Sequence, residues 1–261
     1  MLSVCVQADE HINSEQLSKI YTEEIAYQVG DTKLNGYLAY DSSTDTKRPG
    51  ILVVHEWWGH NEYARMRAEK LAELGYVAFA VDMYGDGKLA EHPGDAGKFM
   101  KQVTGNIPLA EKRLAAAFKV LNQQDKTDTS KTAAIGYCFG GGMVLHLARI
   151  GTDVDGVVSF HGSLGTETPA KKGSVKARVL VLHGEDDPFI PADQVDAFKE
   201  EMQNAGVKYE FIAYPNVKHS FTNPQADEFA KKFNLPALGY NQDADEDSWN
   251  RMQVFFEQIF N

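Results

Sequence analysis

Cysteine and positive charge are both scarce in this chain of 261 residues. Only two cysteines occur, Cys5 and Cys138, too few for a framework of several disulfides. Acidic residues outnumber basic ones by 37 to 26, which gives a formal net charge of -11 at pH 7. Because nucleic acids and anionic membranes are bound through clustered Lys and Arg, we expect neither as a partner. A small molecule is therefore the expected ligand.

The chain also lacks a membrane-length apolar run and a linker rich in proline or glycine. The missing linker favours one domain, which we place at residues 21–261. Residues 1–20 are predicted to be a disordered N-terminus or the remnant of a secretory signal, because "MLSVCVQA" is apolar but has no basic segment before it. We expect a soluble protein, cytoplasmic or, if the signal interpretation holds, periplasmic or secreted.

Short, nearly continuous apolar runs recur along the chain and are typical of strands buried on both faces. They occupy residues 50–56, 76–83, 132–137, 155–161, 177–184 and 208–214. Before them, residues 23–29 and 33–40 alternate apolar and polar side chains around a turn, which predicts an antiparallel hairpin. Helical patterns separate most of the runs. The sequence therefore predicts an α/β fold with a mostly parallel sheet and helices on both faces.

Two irregular regions, residues 84–108 and 215–240, each follow a predicted strand and mix turn residues with a weak helical pattern. Open α/β sheets bind ligands beyond the carboxyl ends of their strands. We therefore predict that both regions form the rim of a binding site.

The stretch "AIGYCFGGG" places Cys138 between glycines, directly after a predicted strand and before a predicted helix. This is the pattern of a nucleophile elbow, with cysteine in place of serine. Side chains at Gly136 and Gly140 are expected to collide with neighbouring elements at so tight a turn. The helix that follows points its positive end at the sulfur and favours the thiolate. The alternative is an inert buried cysteine.

A nucleophile on such an elbow needs an acid and then a histidine further along the chain. "HGEDDPFIP" supplies acids at the end of one predicted strand, and "VKHSF" supplies a histidine just after the next. We predict Asp187 as the acid and His219 as the base. Asp186 stays open as the alternative acid, because adjacent residues on a turn cannot both face the imidazole.

With "VVHEWWGHN" and "AVDMYG" before them, these motifs resemble the dienelactone hydrolase family, from about Ile25 to the C-terminus. The resemblance implies the α/β-hydrolase fold and a triad of Cys138, Asp187 and His219. It also implies hydrolysis of a carboxylic ester or lactone through a thioester, without metal or organic cofactor. In the family, the acid at the position of Glu56 holds the resting thiol until substrate displaces it.

The backbone N–H groups of Trp57 and Phe139 are predicted to form the oxyanion hole. Aromatic residues near the motifs are predicted to line the substrate pocket. These are Trp58, Tyr84, Tyr137 and Phe221.

The chain departs from the family where the namesake enzyme grips a substrate carboxylate with arginines. Asp86 and Asn223 stand at those positions. We therefore expect a neutral or weakly polar ester or lactone rather than dienelactone itself. A thioesterase or small-acyl esterase is the alternative among enzymes, and a non-catalytic binding protein of the same fold is the alternative outside them. The expected oligomeric state is a monomer or a homodimer.

Overall fold

The computed structural model describes residues 19–261, so nearly all of the predicted N-terminal segment lies outside the described residues. The described chain forms one sheet of eight strands in the order β1-β2-β4-β3-β5-β6-β7-β8. The strands are β1 Ile20–Val29, β2 Thr32–Asp41, β3 Arg48–Val54, β4 Val77–Val81, β5 Thr127–Tyr137, β6 Gly156–Phe160, β7 Arg178–Gly184 and β8 Tyr209–Tyr214. The helices are α1 Glu62–Glu73, α2 Pro93–Thr104, α3 Ile107–Asn122, α4 Phe139–Arg149, α5 Ala192–Ala205, α6 Ala226–Phe233 and α7 Gln242–Phe260.

The sheet combines an antiparallel edge with a parallel body. Strands β1 and β2 pair antiparallel, and β2 continues antiparallel onto β4. All other neighbours are parallel. This confirms the predicted fold class, including the N-terminal hairpin, and is the α/β-hydrolase architecture.

Two apolar cores lie on opposite faces of the sheet, because successive side chains on a strand point to opposite sides. On β5, Ala134 faces the core that contains residues of α2 to α5. Its neighbour Ile135 faces the core built with α1 and α7. The strands are buried on both faces, which explains why the sequence shows continuous apolar runs rather than alternation.

The carboxyl ends of the parallel strands lie at one edge of the sheet, and the irregular regions lie beyond them. Region 84–108 holds α2, and region 215–240 holds α6. Within residues 19–261, no helix has both the length and the apolar character needed to cross a membrane.

Candidate active site

Cys138 occupies a sharp turn between β5 and α4. Its backbone has φ 54° and ψ -114°, a conformation that non-glycine residues rarely adopt. The turn is held from both sides: the Cys138 N–H donates to the Phe160 carbonyl at 3.0 Å, and the Cys138 carbonyl accepts from the Gly142 N–H at 3.2 Å. Strain of this kind is typical of functional positions. The side chain remains partly exposed.

The glycines around the turn are required by contact between backbones. A Cβ at Gly136 would lie 2.1 Å from the carbonyl oxygen of Gly140. A Cβ at Gly140 would lie 2.2 Å from the carbonyl oxygen of Val54. Because neither backbone can move aside, the predicted collision at both positions is confirmed.

His219 follows β8 and is clamped by Asp187, which follows β7. The Asp187 Oδ2 lies 2.6 Å from His219 Nδ1, and its Oδ1 accepts from the Phe189 N–H at 2.9 Å. Asp187 is only 3% exposed, whereas Asp186 faces solvent. The structure therefore places Asp187, and not Asp186, on the imidazole.

Charge and burial compete at His219. Burial lowers the pKa of the imidazole. The effect of burial is outweighed by attraction to Cys138, by hydrogen bonds to Asp187 and Cys138, and by the charge of Asp187, which together raise the pKa to about 10. The site thus favours the imidazolium form of His219.

We expect Cys138→Ala to lower the pKa of His219 below that of the intact protein, because the substitution removes the largest contribution that raises it. Nitrogen NMR of the imidazole across pH measures this shift. His60 is the internal control, since burial holds its pKa at about 3 and Cys138 is not among the causes. An unchanged His219 titration would show that Cys138 and His219 are not coupled.

Glu56 is buried just beyond β3, but it does not hold the thiol. Its Oε1 accepts from the Ser220 hydroxyl at 2.9 Å and its Oε2 from the Asn223 amide at 2.6 Å. No hydrogen bond joins it to Cys138 in the described chain. Burial raises the pKa of Glu56, while both hydrogen bonds and the nearby His219 oppose the rise. The role implied by the family resemblance is therefore not seen here, because both carboxylate oxygens are engaged by the loop that carries His219.

A cleft of about 250 Å³ opens over Cys138 and His219. Its lining residues are Trp57, Met100, Cys138, Phe139, Ser163, Phe189, Ile190, His219 and Leu238. Met100 comes from region 84–108 and Leu238 from region 215–240, so both predicted rim regions contribute to the cleft. Met100, Ser163, Phe189, Ile190 and Leu238 were not anticipated individually.

Trp57 and Phe139 both line this cleft beside Cys138. Phe139 is the first residue of α4, where an N–H has no partner within the helix. Within residues 19–261, neither the Trp57 nor the Phe139 N–H donates a hydrogen bond. Both donors are thus available to an oxygen atom bound next to the sulfur.

The four aromatic residues predicted to line the pocket lie outside the cleft, which is a correction. Tyr137 and Phe221 are fully buried in the core against α1 and α7, because their side chains point to the sheet face opposite α4. Trp58 is 4% exposed and packs on α6 through Phe229, at 4.7 Å between ring centroids. Tyr84 is also buried, and its hydroxyl donates to the Trp57 carbonyl at 2.9 Å. It therefore helps to hold Trp57, which lines the cleft, in place.

The positions expected to bind a carboxylate are also placed differently. Asp86 is exposed and pairs with Lys88 at 3.1 Å, and it does not line the cleft. Asn223 is 1% exposed and is engaged by Glu56. No arginine or lysine of residues 19–261 lines the cleft.

An arginine that the sequence analysis did not single out braces the loop of His219. Arg67, on α1, is 1% exposed. Its guanidinium donates to the Thr222 carbonyl at 2.5 Å and to Asp245 Oδ1, on α7, at 2.6 Å. The Thr222 hydroxyl in turn lies 2.8 Å from His161 Nε2. The His161 ring packs 5.1 Å from that of His219. Arg67 is therefore connected to His219 through Thr222 and His161.

Comparison with known proteins finds a matching family model, described as the dienelactone hydrolase family, over residues 34–260. Among curated proteins, "Protein usf" of Aquifex pyrophilus is 27% identical, covering 90% of this chain and 97% of its own. A "Putative carboxymethylenebutenolidase" of Methylorubrum extorquens is 29% identical, covering 80% of this chain and 72% of its own.

Solved structures agree with this match. The structure titled "m3DLH" has a TM-score of 0.87 and 36% identity, covering 93% of this chain and 99% of its own. A dienelactone hydrolase-like promiscuous phosphotriesterase, P91, from metagenomic libraries has a TM-score of 0.85 and 33% identity, covering 92% of this chain and 98% of its own.

Proposed function

The chain belongs to the dienelactone hydrolase family, and from that premise we propose that it hydrolyses uncharged carboxylic esters or lactones with Cys138 as the nucleophile. The observation that carries the proposal is the strained turn that holds Cys138 in a cleft beside the Asp187–His219 pair. The three side chains come from the ends of different elements. A cysteine, a base and an orienting acid in this order are the parts that covalent acyl transfer requires.

In the first step, the Cys138 thiolate forms a bond to the carbonyl carbon of the ester and the carbonyl oxygen gains negative charge. The Trp57 and Phe139 N–H groups stabilise that charge. The bond to the leaving oxygen then breaks, and His219 gives its proton to that oxygen. The products are the free alcohol and a thioester on Cys138.

In the second step, water attacks the thioester while His219 accepts its proton. The carbon–sulfur bond breaks, which releases the acid and restores the thiolate. Asp187 holds the ring and stabilises imidazolium throughout. Glu56 acts as a positioning residue, since its two hydrogen bonds fix Ser220 and Asn223 on the loop of His219.

The thioester is the directly testable part of the proposal. We expect that acid quenching during turnover of a para-nitrophenyl ester leaves the acyl group on Cys138, detected by peptide mass spectrometry. Cys5 is the internal control, because the proposal gives it no role, and Cys138→Ala is the variant control. Hydrolysis without acyl-Cys138, or retained in Cys138→Ala, contradicts the mechanism. Binding without turnover would favour a non-catalytic binding protein.

Substrate charge is the second test. With no arginine or lysine of residues 19–261 lining the cleft, a substrate carboxylate forgoes charge-assisted hydrogen bonds to such side chains, of about 1.5 to 3 kcal/mol each. Two such contacts correspond to about two to four powers of ten in kcat/KM. We therefore expect a neutral unsaturated lactone to exceed its carboxylated analogue by that factor. Preference for the anion would overturn the substrate class and leave the nucleophile untouched.

Neutral phosphotriesters are a second candidate substrate class. They are uncharged and need no arginine or lysine, which the described residues do not place in the cleft, and the similar P91 hydrolase is described as a promiscuous phosphotriesterase. A neutral aryl phosphotriester assayed beside the aryl ester tests this class. Turnover that vanishes in Cys138→Ala supports it, and its absence excludes it.

A further inference from the structure

A second cavity, of about 580 Å³, adjoins the catalytic cleft and has no role in the mechanism above. We call it the annex. It shares Met100, Phe139 and Ser163 with the cleft, so the two spaces meet beside the nucleophile. Its floor is α4, from Gly142 to Arg149. At a rise of ~1.5 Å per residue, Gly142 lies ~6 Å and Arg149 ~16 Å along the helix from Cys138.

The side of the cleft on which the annex lies identifies the substrate portion that reaches it. His219 must protonate the leaving oxygen, so the alcohol portion lies on the side of His219. Phe189, whose ring lies 5.1 Å from that of His219, and Leu238, which forms a backbone bridge with His219, lie on the side of His219, and neither lines the annex. The annex therefore lies on the side of the acyl group.

The polar groups of the annex suit an uncharged partner. Ser163, Thr104, Thr166 and Thr168 line it. The Thr104 hydroxyl donates to the Met100 carbonyl at 3.1 Å and the Thr166 and Thr168 hydroxyls pair at 3.4 Å, but each hydroxyl oxygen can still accept a further hydrogen bond. Its basic residues already have acidic partners: Arg149 makes two contacts of 2.8 Å with Glu201, and His146 lies 2.8 Å from Glu111.

Among residues 19–261, Glu167 is the one acidic side chain that lines the annex; it is exposed and disfavours an anion there. Where the cleft meets the annex, the shared residues Met100 and Phe139 are apolar. An acyl group extending from Cys138 would thus meet apolar side chains first and hydroxyl groups further out.

We infer that the annex binds the far end of the acyl group, and that the preferred acyl group is apolar near its carboxyl and carries an uncharged hydroxyl group at its far end. The inference rests on the proposed function, since it assumes that Cys138 is acylated. It adds a specificity site formed by α2, α4 and residues 163–168.

The test compares para-nitrophenyl esters of acetate, octanoate, omega-hydroxyoctanoate and suberate with the intact chain. Because a neutral hydrogen bond contributes about 0.5 to 1.5 kcal/mol, omega-hydroxyoctanoate should exceed octanoate by about two- to ten-fold in kcat/KM. The suberate monoester, which ends in a carboxylate, should be slower than both. Equal rates for the three long esters would overturn the inference.

Thr104→Trp fills the annex from the exposed end of α2, and Gln102→Trp, on the same helix but lining neither cavity, is the matched control. We expect Thr104→Trp to lower kcat/KM for omega-hydroxyoctanoate about ten-fold, equivalent to about 1.4 kcal/mol, with acetate unchanged. The control should change neither. Equal loss on both esters in Thr104→Trp and in a second variant, Thr166→Trp, overturns the inference.

Acetate turnover separates this inference from the proposed function. Acetate is too short to reach the annex, so its hydrolysis depends on the catalytic cleft and not on the annex. Failure of wild-type protein to hydrolyse acetate counts against the proposed function. Normal acetate turnover without discrimination among the long esters counts against the annex only.

Discussion

Cys138→Ala and His219→Ala should each lower kcat for ester hydrolysis by about four to six powers of ten, and the double variant should be no slower than either single one. The reason is that the two residues act as one unit. The imidazolium owes its raised pKa largely to Cys138, and a thiol without its base is a poor nucleophile at neutral pH. Initial rates on a para-nitrophenyl ester measure all three variants.

Asp187→Asn should have a smaller effect than these variants. It keeps the shape of the acid but removes the charge that orients His219 at 2.6 Å, so we expect a loss of about four powers of ten or less. Asp186→Asn is the matched control, because Asp186 is exposed and does not contact the ring.

Losses that multiply in the Cys138→Ala/His219→Ala double variant would show that Cys138 and His219 act independently.

Local motifs explain why the centre of this site could be predicted from the sequence. The elbow requires glycine at Gly136 and Gly140 for steric reasons that lie within a few residues of Cys138. Asp187 and His219 each follow a strand that the sequence predicts from an apolar run. Because parallel strands end at one edge of the sheet, the sequence predicts that Asp187 and His219 lie near the sulfur.

The substrate-side prediction failed because nearness in sequence does not determine the direction of a side chain. Tyr137 is adjacent to Cys138, yet strand alternation points it with Ile135 into the core against α1 and α7. Because β5 is buried on both faces, its apolar run does not show which face Tyr137 occupies. The positions of Met100 and Leu238 could be predicted only as regions, since the helical pattern there is too weak to show which way a side chain points.

The role of Glu56 illustrates a different limit. Its position after β3 could be predicted, but its hydrogen-bond partners could not, because Ser220 and Asn223 are more than 160 residues away in the chain. Arg67 was missed for the same reason. An arginine on an amphipathic helix is most often exposed, and only the tertiary fold shows that it is buried between α1, α7 and the loop of His219.

Arg67→Met should destabilise the protein by about 3 to 5 kcal/mol, because it leaves Asp245 buried without its hydrogen-bonded cation. The aromatic rings of Tyr63, Tyr137 and Trp249 surround the guanidinium at 5.2 to 5.4 Å, so water cannot readily take its place. Urea unfolding followed by circular dichroism measures the free energy. Arg251→Met is the matched control, since Arg251 pairs with Asp247 on the surface of α7 and such pairs contribute less than about 1 kcal/mol.

A second variant separates the charge of Arg67 from its effect on the base. Arg67→Met with Asp245→Leu removes both buried charges, so it should recover much of the lost stability. It cannot restore the hydrogen bond to the Thr222 carbonyl, which fixes the loop of His219. We therefore expect the double variant to fold well but to retain a lowered kcat with little change in KM. Full recovery of kcat together with stability would show that Arg67 supports the fold and has no part in positioning the base.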